Sequence, residues 1–193
     1  MAHLRRVTED NVDLNRNFRD HSVPYPDNPA YEKLADDIAP VSISFWAEVA
    51  SWSRLLWFRA TAGHAASQAA VSRGQYSHPQ GLFYGGTSST WSNMTVRSII
   101  RRYLTRADRV IVVDIHTGLG KYGSAEVILN VPDDSPEYQR AVAIWGRELT
   151  KTTVTGKSVS PHLEASLKLA LPEILPAENN RGQTTVAQRH LRV

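Results

Sequence analysis

Apolar and polar positions along the chain indicate two strands among several helices. The apolar run Val110–Ile115 is β-branched throughout and is interrupted only by Asp114. A β-branched run of this length is typical of a strand buried on both faces of a sheet, so we expect it to be a central, parallel strand. Ala125–Val131 predicts a second strand. The chain is therefore α/β, but it supplies too few strands to give the first one neighbours on both sides, and we expect an incomplete sheet.

Helical periodicity accounts for most of the remaining chain. Asn28 before Pro29 predicts a helix start, and Pro40 predicts its end. Residues 42–59 carry apolar side chains at three- and four-residue spacing, and their tryptophans are expected in the core rather than on a stacking surface. Further helices are predicted over Ala62–Arg73, over residues 94–104, from Ser135 and from Ser160.

Two stretches have neither a helical nor a strand period and are predicted as loops. The first is Asp13–Phe18, DLNRNF, in which Arg16 lies between two asparagines. A guanidinium in this setting either binds a carboxylate with two hydrogen bonds or holds the loop itself together. The second is Gly74–Asn93, whose length is unusual for a compact domain and favours a functional loop. His78 within it is interpreted as a surface residue, with a role in a site as the alternative.

Composition narrows the classes of function. The net charge is only +3, so a nucleic-acid partner is not expected; the arginines at 101, 102, 106 and 109 are typical of a solvated helix face. The absence of cysteine excludes disulfides, thiolate zinc sites and cysteine nucleophiles, and fits the cytoplasm, where we expect the protein. The N-terminal residues lack the pattern of a signal peptide, and no apolar run is long enough for a membrane span, so no membrane partner is expected.

The polar residues that end the long apolar run are the strongest candidates for chemistry. Asp114 and His116 are followed by the turn sequence Thr-Gly-Leu-Gly. Open α/β sheets place their sites at the carboxyl ends of strands. A lone histidine is more often a core residue bonded to a carbonyl. The strand-end position, the glycines and the nearby carboxylate favour a ligand or catalytic role for His116.

Two of these motifs, taken together, resemble a known superfamily. DLNRNF at 13–18, followed about a hundred residues later by DIHTGLG at 114–120, resembles the zinc carboxypeptidases of the carboxypeptidase A and succinylglutamate desuccinylase/aspartoacylase types. GQYSHPQGLFYGG at 74–86, with WSN at 91–93, resembles one bacterial branch of uncharacterised function. We expect residues 1–175 to form a partial domain of this kind and the polar residues 176–193 to form a disordered tail.

The resemblance implies a fold, a reaction and a site. The fold is a three-layer α-β-α sandwich around a mixed, mostly parallel sheet. The reaction is zinc-dependent hydrolysis of a peptide or acyl-amino-acid amide bond. His116 corresponds to the later zinc ligand, with Asp114 behind it, and Asn15 and Arg16 correspond to the pair that holds the free carboxylate of a small peptide or acyl-amino-acid substrate. A glutamate near the C-terminus is the superfamily's general base.

The chain departs from the superfamily pattern at the zinc site. None of its seven histidines is followed three residues later by glutamate, and only twelve residues precede DLNRNF, where that pair belongs. No general base is identified, although Glu164, Glu173 and Glu178 are available. Two hypotheses follow: a zinc hydrolase, or a truncated, non-catalytic remnant. With one assigned ligand, this chain alone is expected to hold much less than one zinc and to be inactive, and the open edge of its sheet should promote aggregation.

Overall fold

The computed structural model describes residues 7–40, 44–107, 109–117, 122–154, 165–175 and 183–191. Within these ranges the chain forms six α-helices, one short 3-10 helix and four strands. They fall into two compact units. The first comprises Met1–Asn93 with Leu163–Ser166, and the second comprises Met94–His162 with Leu167–Val193.

The first unit is helical, and local signals set its boundaries. The side chain of Asn28 accepts a hydrogen bond from the backbone of Tyr31 and Pro29 takes the first position, as the sequence predicts. Gly63 and Gly74 have positive φ angles of 85° and 104°, which allows the chain to turn before and after the third helix. The elements are the 3-10 helix Leu14–Arg16, α1 Pro29–Ile38, α2 Phe45–Ala62 and α3 His64–Ser72.

The tryptophans of α2 lie at the surface, so the prediction that they are core residues is wrong. Trp46, Trp52 and Trp57 are 65% to 77% exposed. The reason lies on the opposite side of the helix, where the Arg54 Nε is 2.9 Å from both carboxylate oxygens of Asp37 in α1. This ion pair favours the rotation that turns the aromatic side chains outward.

The same ion pair perturbs both charged groups. The hydrogen bond from Arg54 holds the pKa of the buried Asp37 carboxyl below its ordinary value, and it raises the pKa of Arg54. Although α2 is long and largely apolar, neither it nor any other helix in the described ranges meets the length and hydropathy needed to cross a bilayer.

The second unit is built on a mixed sheet with the strand order β1-β4-β2-β3. β1 runs parallel to β4, β4 antiparallel to β2, and β2 parallel to β3. Two of the three pairings are therefore parallel, which agrees with an α/β fold; the third layer of the predicted sandwich stays a prediction. The elements are α4 Trp91–Tyr103, which begins in the first unit, β1 Arg109–Thr117, β2 Ala125–Leu129, α5 Pro136–Trp145, β3 Thr150–Thr152, α6 Leu167–Ile174 and β4 Gln183–Leu191.

A small core joins α5 to one face of the sheet. Val127 and Leu129 of β2 pack with Ala141 of α5, all three almost fully buried. The hydroxyl of Tyr138 donates a 3.1 Å hydrogen bond to the carbonyl of Thr150, which ties the helix to β3. The cap by Ser135 and the proline that follows it start α5 as predicted.

β1 is an edge strand of the described sheet, which corrects the prediction that it is central. Ile111, Val113 and Ile115 are 45% to 63% exposed, whereas Val110 is buried and Asp114 half-buried. The strand is thus covered on one face only. A continuous apolar run does not distinguish this arrangement from full burial, because Val and Ile suit both. The exposed apolar edge that the sequence predicts is β1 itself.

β4 is the largest departure from the sequence-based expectation. Gln183–Leu191 lie in the stretch predicted to be a disordered tail, yet they form a strand between β1 and β2. Their sequence shows no alternation of apolar and polar residues. The strand is defined instead by its pairing with β1 and β2, which is a long-range effect. Residues 176–182 and the predicted helix start at Ser160 lie outside the described residues.

Candidate functional site

In the first unit, the DLNRNF segment forms a closed polar loop. Asp13 caps the 3-10 helix by accepting a 3.0 Å hydrogen bond from the backbone of Asn15 through Oδ1. Its Oδ2 lies 2.9 Å from Nη1 of Arg16. One carboxylate therefore fixes both the backbone turn and the arginine that follows it, and both charged side chains are almost fully buried.

Arg16 is enclosed by protein on several sides. Besides the pair with Asp13, its Nη2 donates to the carbonyl of Ser72, and the guanidinium lies 4.7 Å from the centre of the Phe83 ring. Its own carbonyl accepts a 2.7 Å hydrogen bond from the hydroxyl of Tyr76. The sequence left two interpretations of Arg16 open, carboxylate binding and a network that holds the loop together. The contacts described above are those of the loop-holding network. Binding of a substrate carboxylate by Arg16 stays a prediction.

Asn17 is the centre of a second network, which the sequence analysis missed. Its fully buried amide donates 2.8 Å hydrogen bonds to the carbonyls of Gly85 and Ser88, and its Oδ1 accepts from the backbone of Thr90 and from the Asn93 side chain. The network joins DLNRNF to the glycine-rich loop and to the first turn of α4. The signal was present, since three of the four strings quoted for the family resemblance, DLNRNF, GQYSHPQGLFYGG and WSN, meet here.

Close contact with Arg16 and Tyr76 explains two glycines of the loop. A Cβ on Gly85 would lie 2.2 Å from a ring carbon of Tyr76 and 2.8 Å from the carbonyl oxygen of Arg16. A Cβ on Gly74, which also has a positive φ, would lie 2.5 Å from Cγ of Arg16. The loop can therefore wrap the DLNRNF segment only with glycine at these positions.

Asn15 and His78 are the more accessible polar residues of this region. The Asn15 side chain is half-buried and makes no hydrogen bond to any other residue in the described ranges. Nδ1 of His78 lies 3.0 Å from the Ser77 hydroxyl and 3.8 Å from a Glu32 oxygen, and the side chain is partly exposed. This geometry agrees with the interpretation of His78 as a surface residue.

In the second unit, the backbone places Asp114 and His116 at the carboxyl end of β1. His116 is the penultimate residue of the strand, in a parallel pair with β4, as expected. Its side chain, and the turn residues 118–121, lie outside the described part of the chain, so the prediction that its ring faces a cleft is untested. Asp114, two residues earlier, is half-buried.

The strand register aligns two further residues of metal-binding type with His116. Position 116 of β1 pairs with His190 of β4, and His190 pairs with Glu126 of β2. Residues opposite one another on neighbouring strands belong to the same face of a sheet, with strands about 4.8 Å apart. Two histidines and a glutamate therefore occupy one row across three strands. No sequence spacing links these positions, so only the pairing reveals the row.

One carboxylate oxygen of Glu126 is buried without a hydrogen bond in the described part of the chain. Its Oε1 atom is buried and has no hydrogen-bond partner among the side chains and backbone that the structure describes. A buried carboxylate oxygen is costly unless it is bonded or coordinates a metal.

A family model described as "Protein of unknown function (DUF2817)" matches residues 1–187. The chain belongs to the DUF2817 family. Searches of curated proteins and of solved structures give no match to it. The family match spans parts of both compact units; it includes the polar loops and positions 116 and 126, and it ends before His190.

The row in this DUF2817 chain offers two imidazoles and one carboxylate as potential zinc donors. Among the side chains described, no group of three or more histidine, aspartate or glutamate residues is placed to hold a metal. The side chains of His116 and His190 are not part of that set. Imidazole and carboxylate are the ligand types of zinc sites without cysteine, so the residue types in the row fit zinc.

Proposed function

We propose that the protein is a zinc-dependent hydrolase of a peptide or acyl-amino-acid amide bond. The observation that carries the proposal is the row formed by positions 116, 190 and 126, together with the buried oxygen of Glu126. Catalytic zinc sites use three protein ligands and keep one position for water. In this proposal His116, His190 and Glu126 are the three ligands, and they replace the His-x-x-Glu pair that the chain lacks.

The roles of the neighbouring residues follow from their positions. A bound zinc would lower the pKa of its water and polarise the substrate carbonyl. Asp114, two positions before His116 on the same strand, is proposed to orient the imidazole. Asn15 and Arg16 are proposed to bind the free carboxylate of the substrate; for Arg16 this requires exchanging its hydrogen bond with the Ser72 carbonyl for one with the ligand.

The alternative is a non-catalytic remnant, and one observation favours it. Arg16 is almost fully buried, is hydrogen-bonded to Asp13 and Ser72, and stacks on the ring of Phe83. In the remnant, DLNRNF serves only to hold the loops of the first unit, and the row in the sheet binds no metal.

Metal content separates the two proposals. The untagged chain, purified and dialysed, is expected to retain about one zinc per molecule by mass spectrometry. His116→Ala, His190→Ala and Glu126→Gln should each lower zinc affinity at least tenfold, because each removes a ligand. His64→Ala is the matched control, since His64 is exposed at the start of α3. Much less than one zinc in the unmodified chain would favour the remnant.

Activity is tested on the same proteins. The zinc-loaded chain is expected to release the free amine from N-acylated amino acids or short peptides that have a free carboxylate, and His116→Ala should abolish this release. If the chain binds one zinc per molecule but hydrolyses none of these substrates, the proposed metal site stands and the proposed reaction is wrong.

A further inference from the structure

Helix α2 presents a continuous apolar surface to solvent. The surface consists of Phe45, Trp46, Val49, Trp52, Leu56 and Trp57, each between 46% and 77% exposed. We call it the α2 aromatic face. With aromatic side chains of about 150–250 Å² each, it exposes roughly 700 Å² of apolar area. The largest apolar patch on a typical monomer is about 300–600 Å². The α2 aromatic face therefore exceeds what a solitary chain usually leaves uncovered.

The spacing within this face is that of a helix–helix seam. Phe45, Val49, Trp52 and Leu56 follow one another at intervals of four, three and four residues, which is the spacing of the core positions of a coiled coil. Trp46 and Trp57 both lie along one side of that line. The helix has 18 residues, which gives a seam of about 27 Å.

We propose that the α2 aromatic face is the interface between two copies of this chain, related by a two-fold axis that makes their α2 helices antiparallel. The line of four residues is self-complementary in that orientation: residue 45 meets residue 56 of the partner, and residue 49 meets residue 52. Each of the four contacts joins an aromatic to an aliphatic side chain. A stable interface of standard size buries about 800 Å² per partner, close to the area available here.

The surroundings of α2 agree with a protein partner of this shape. Two open grooves of about 470 and 450 Å³ lie on either side of the helix, one with Trp57 and Phe58 in its wall and the other with Trp52 and Leu55. Asp37 of α1 is in the wall of both grooves, so they run between α1 and α2, beside the α2 aromatic face and not within it. A lipid surface is less favoured, because helices that bind anionic membranes are rich in basic residues on their polar side, whereas α2 has only two arginines, Arg54 paired with Asp37 and Arg59 in the last turn, and the acidic Glu48 offsets one of them.

Sedimentation of the intact chain between 1 and 100 µM tests the proposal. The unmodified chain is expected to be a dimer, and Trp52→Glu, at the centre of the seam, should raise the dissociation constant by about 30-fold or more. Trp91→Glu is the matched control, because Trp91 is 73% exposed on α4 and lies outside the face; its dimer should be unchanged. Far-ultraviolet circular dichroism checks that both variants keep their helices.

Cross-linking tests the antiparallel register, and the absence of cysteine makes it direct. Phe45→Cys combined with Leu56→Cys should give a disulfide-linked dimer on mild oxidation. Leu56→Cys alone should not, since the two copies of residue 56 would be eleven residues apart along the axis, about 16 Å, and a disulfide needs Cα atoms within about 7 Å.

Three outcomes would overturn the proposal. One is a monomer at 100 µM. Another is a dimer that Trp52→Glu leaves as tight as before. The third is a monomer that binds vesicles of phosphatidylcholine and phosphatidylglycerol and loses this binding in Trp52→Glu, which would assign the face to a lipid surface.

Discussion

The DLNRNF loop and helix α2 belong to the same unit and distribute their side chains in opposite ways. Arg16 and Asn17 are at most 2% exposed, whereas Trp46 is 77% exposed. The buried polar side chains are held by carbonyls, a carboxylate and amides that replace water. The aromatic side of α2 lies opposite the ion pair that fixes the helix. For these two segments, burial follows hydrogen-bond complementarity rather than hydropathy.

The difference separates two kinds of information in one sequence. A polar segment becomes interior where another segment supplies matching donors and acceptors, as the glycine-rich loop does for Asn17. An apolar segment signals only that some surface must cover it. Four substitutions probe this contrast, beginning with the one that should cost the most stability.

Arg16→Met is expected to lower the free energy of unfolding by about 3–5 kcal/mol, because it removes the guanidinium that forms an ion pair with the buried carboxylate of Asp13. Urea denaturation measures the change. Arg19→Met serves as control: Arg19 stacks on Tyr25 and Tyr76 nearer the surface and should cost below about 1 kcal/mol. Equal, small losses in the two variants would show that the Asp13–Arg16 pair does not hold the loop.

Asn17→Ala is expected to cost about 2–3 kcal/mol, since it removes the side-chain partner of the Gly85 and Ser88 carbonyls and of the Thr90 backbone N–H. Asn15→Ala, two residues earlier and half-buried, should change stability by less than about 0.5 kcal/mol. Thermal unfolding of both variants compares them directly. If Asn15→Ala lowers stability more than Asn17→Ala does, the amide that holds the loops together is that of Asn15.

Asp37→Asn tests the ion pair that orients α2, and its effect depends on pH. The folded-state pKa of Asp37 is lowered, chiefly by the hydrogen bond from Arg54, so the carboxylate contributes stability above its unfolded-state pKa. That contribution is lost as the pH falls through the folded-state pKa. At neutral pH the variant should be less stable by about 1 kcal/mol, because the Arg54 side chain is largely exposed.

The pH profile supplies the control for this substitution. The difference between the unmodified chain and Asp37→Asn should stay constant from pH 8 to about pH 5 and shrink below about pH 4. Denaturation at several pH values measures it. A difference that does not change down to pH 2 would mean that the lost contact is not the charged one.

Trp52→Gln should have the smallest effect of the four on the isolated chain. Measured at a concentration where the chain is monomeric, its free energy of unfolding should lie within about 0.5 kcal/mol of the unmodified value, because the indole is 65% exposed. A loss above 2 kcal/mol would show that α2 packs its aromatic side within its own chain, and the contrast with DLNRNF would disappear.

Sequence analysis succeeded where the determining interactions are local. The cap by Asn28, the Ser135-Pro136 start of α5 and the glycine after α3 depend on neighbours within a few residues, and all three were predictable. The position of His116 near the end of a strand was predictable for the same reason, since the apolar run and its termination are continuous in sequence.

It failed where the determining partner is distant. The strand of Gln183–Leu191 owes its conformation to pairing with β1 and β2, which no local pattern encodes. The row that joins positions 116, 190 and 126 depends on the same pairing. The outward rotation of α2 depends on one ion pair to α1 that hydropathy cannot detect. The role of Asn17 was missed because an amide without periodic neighbours resembles any loop residue.

The insertion of β4 between β1 and β2 also constrains the order of folding during synthesis. Paired residues of β1 and β4, such as Arg109 and Gln183, are more than seventy positions apart, so a ribosome exposes β1 well before β4 emerges. During this interval β1 has no partner strand from its own chain, and long-range strand pairing is slow to form. Until β4 has been made, the edge of this strand is open to pairing with other nascent chains.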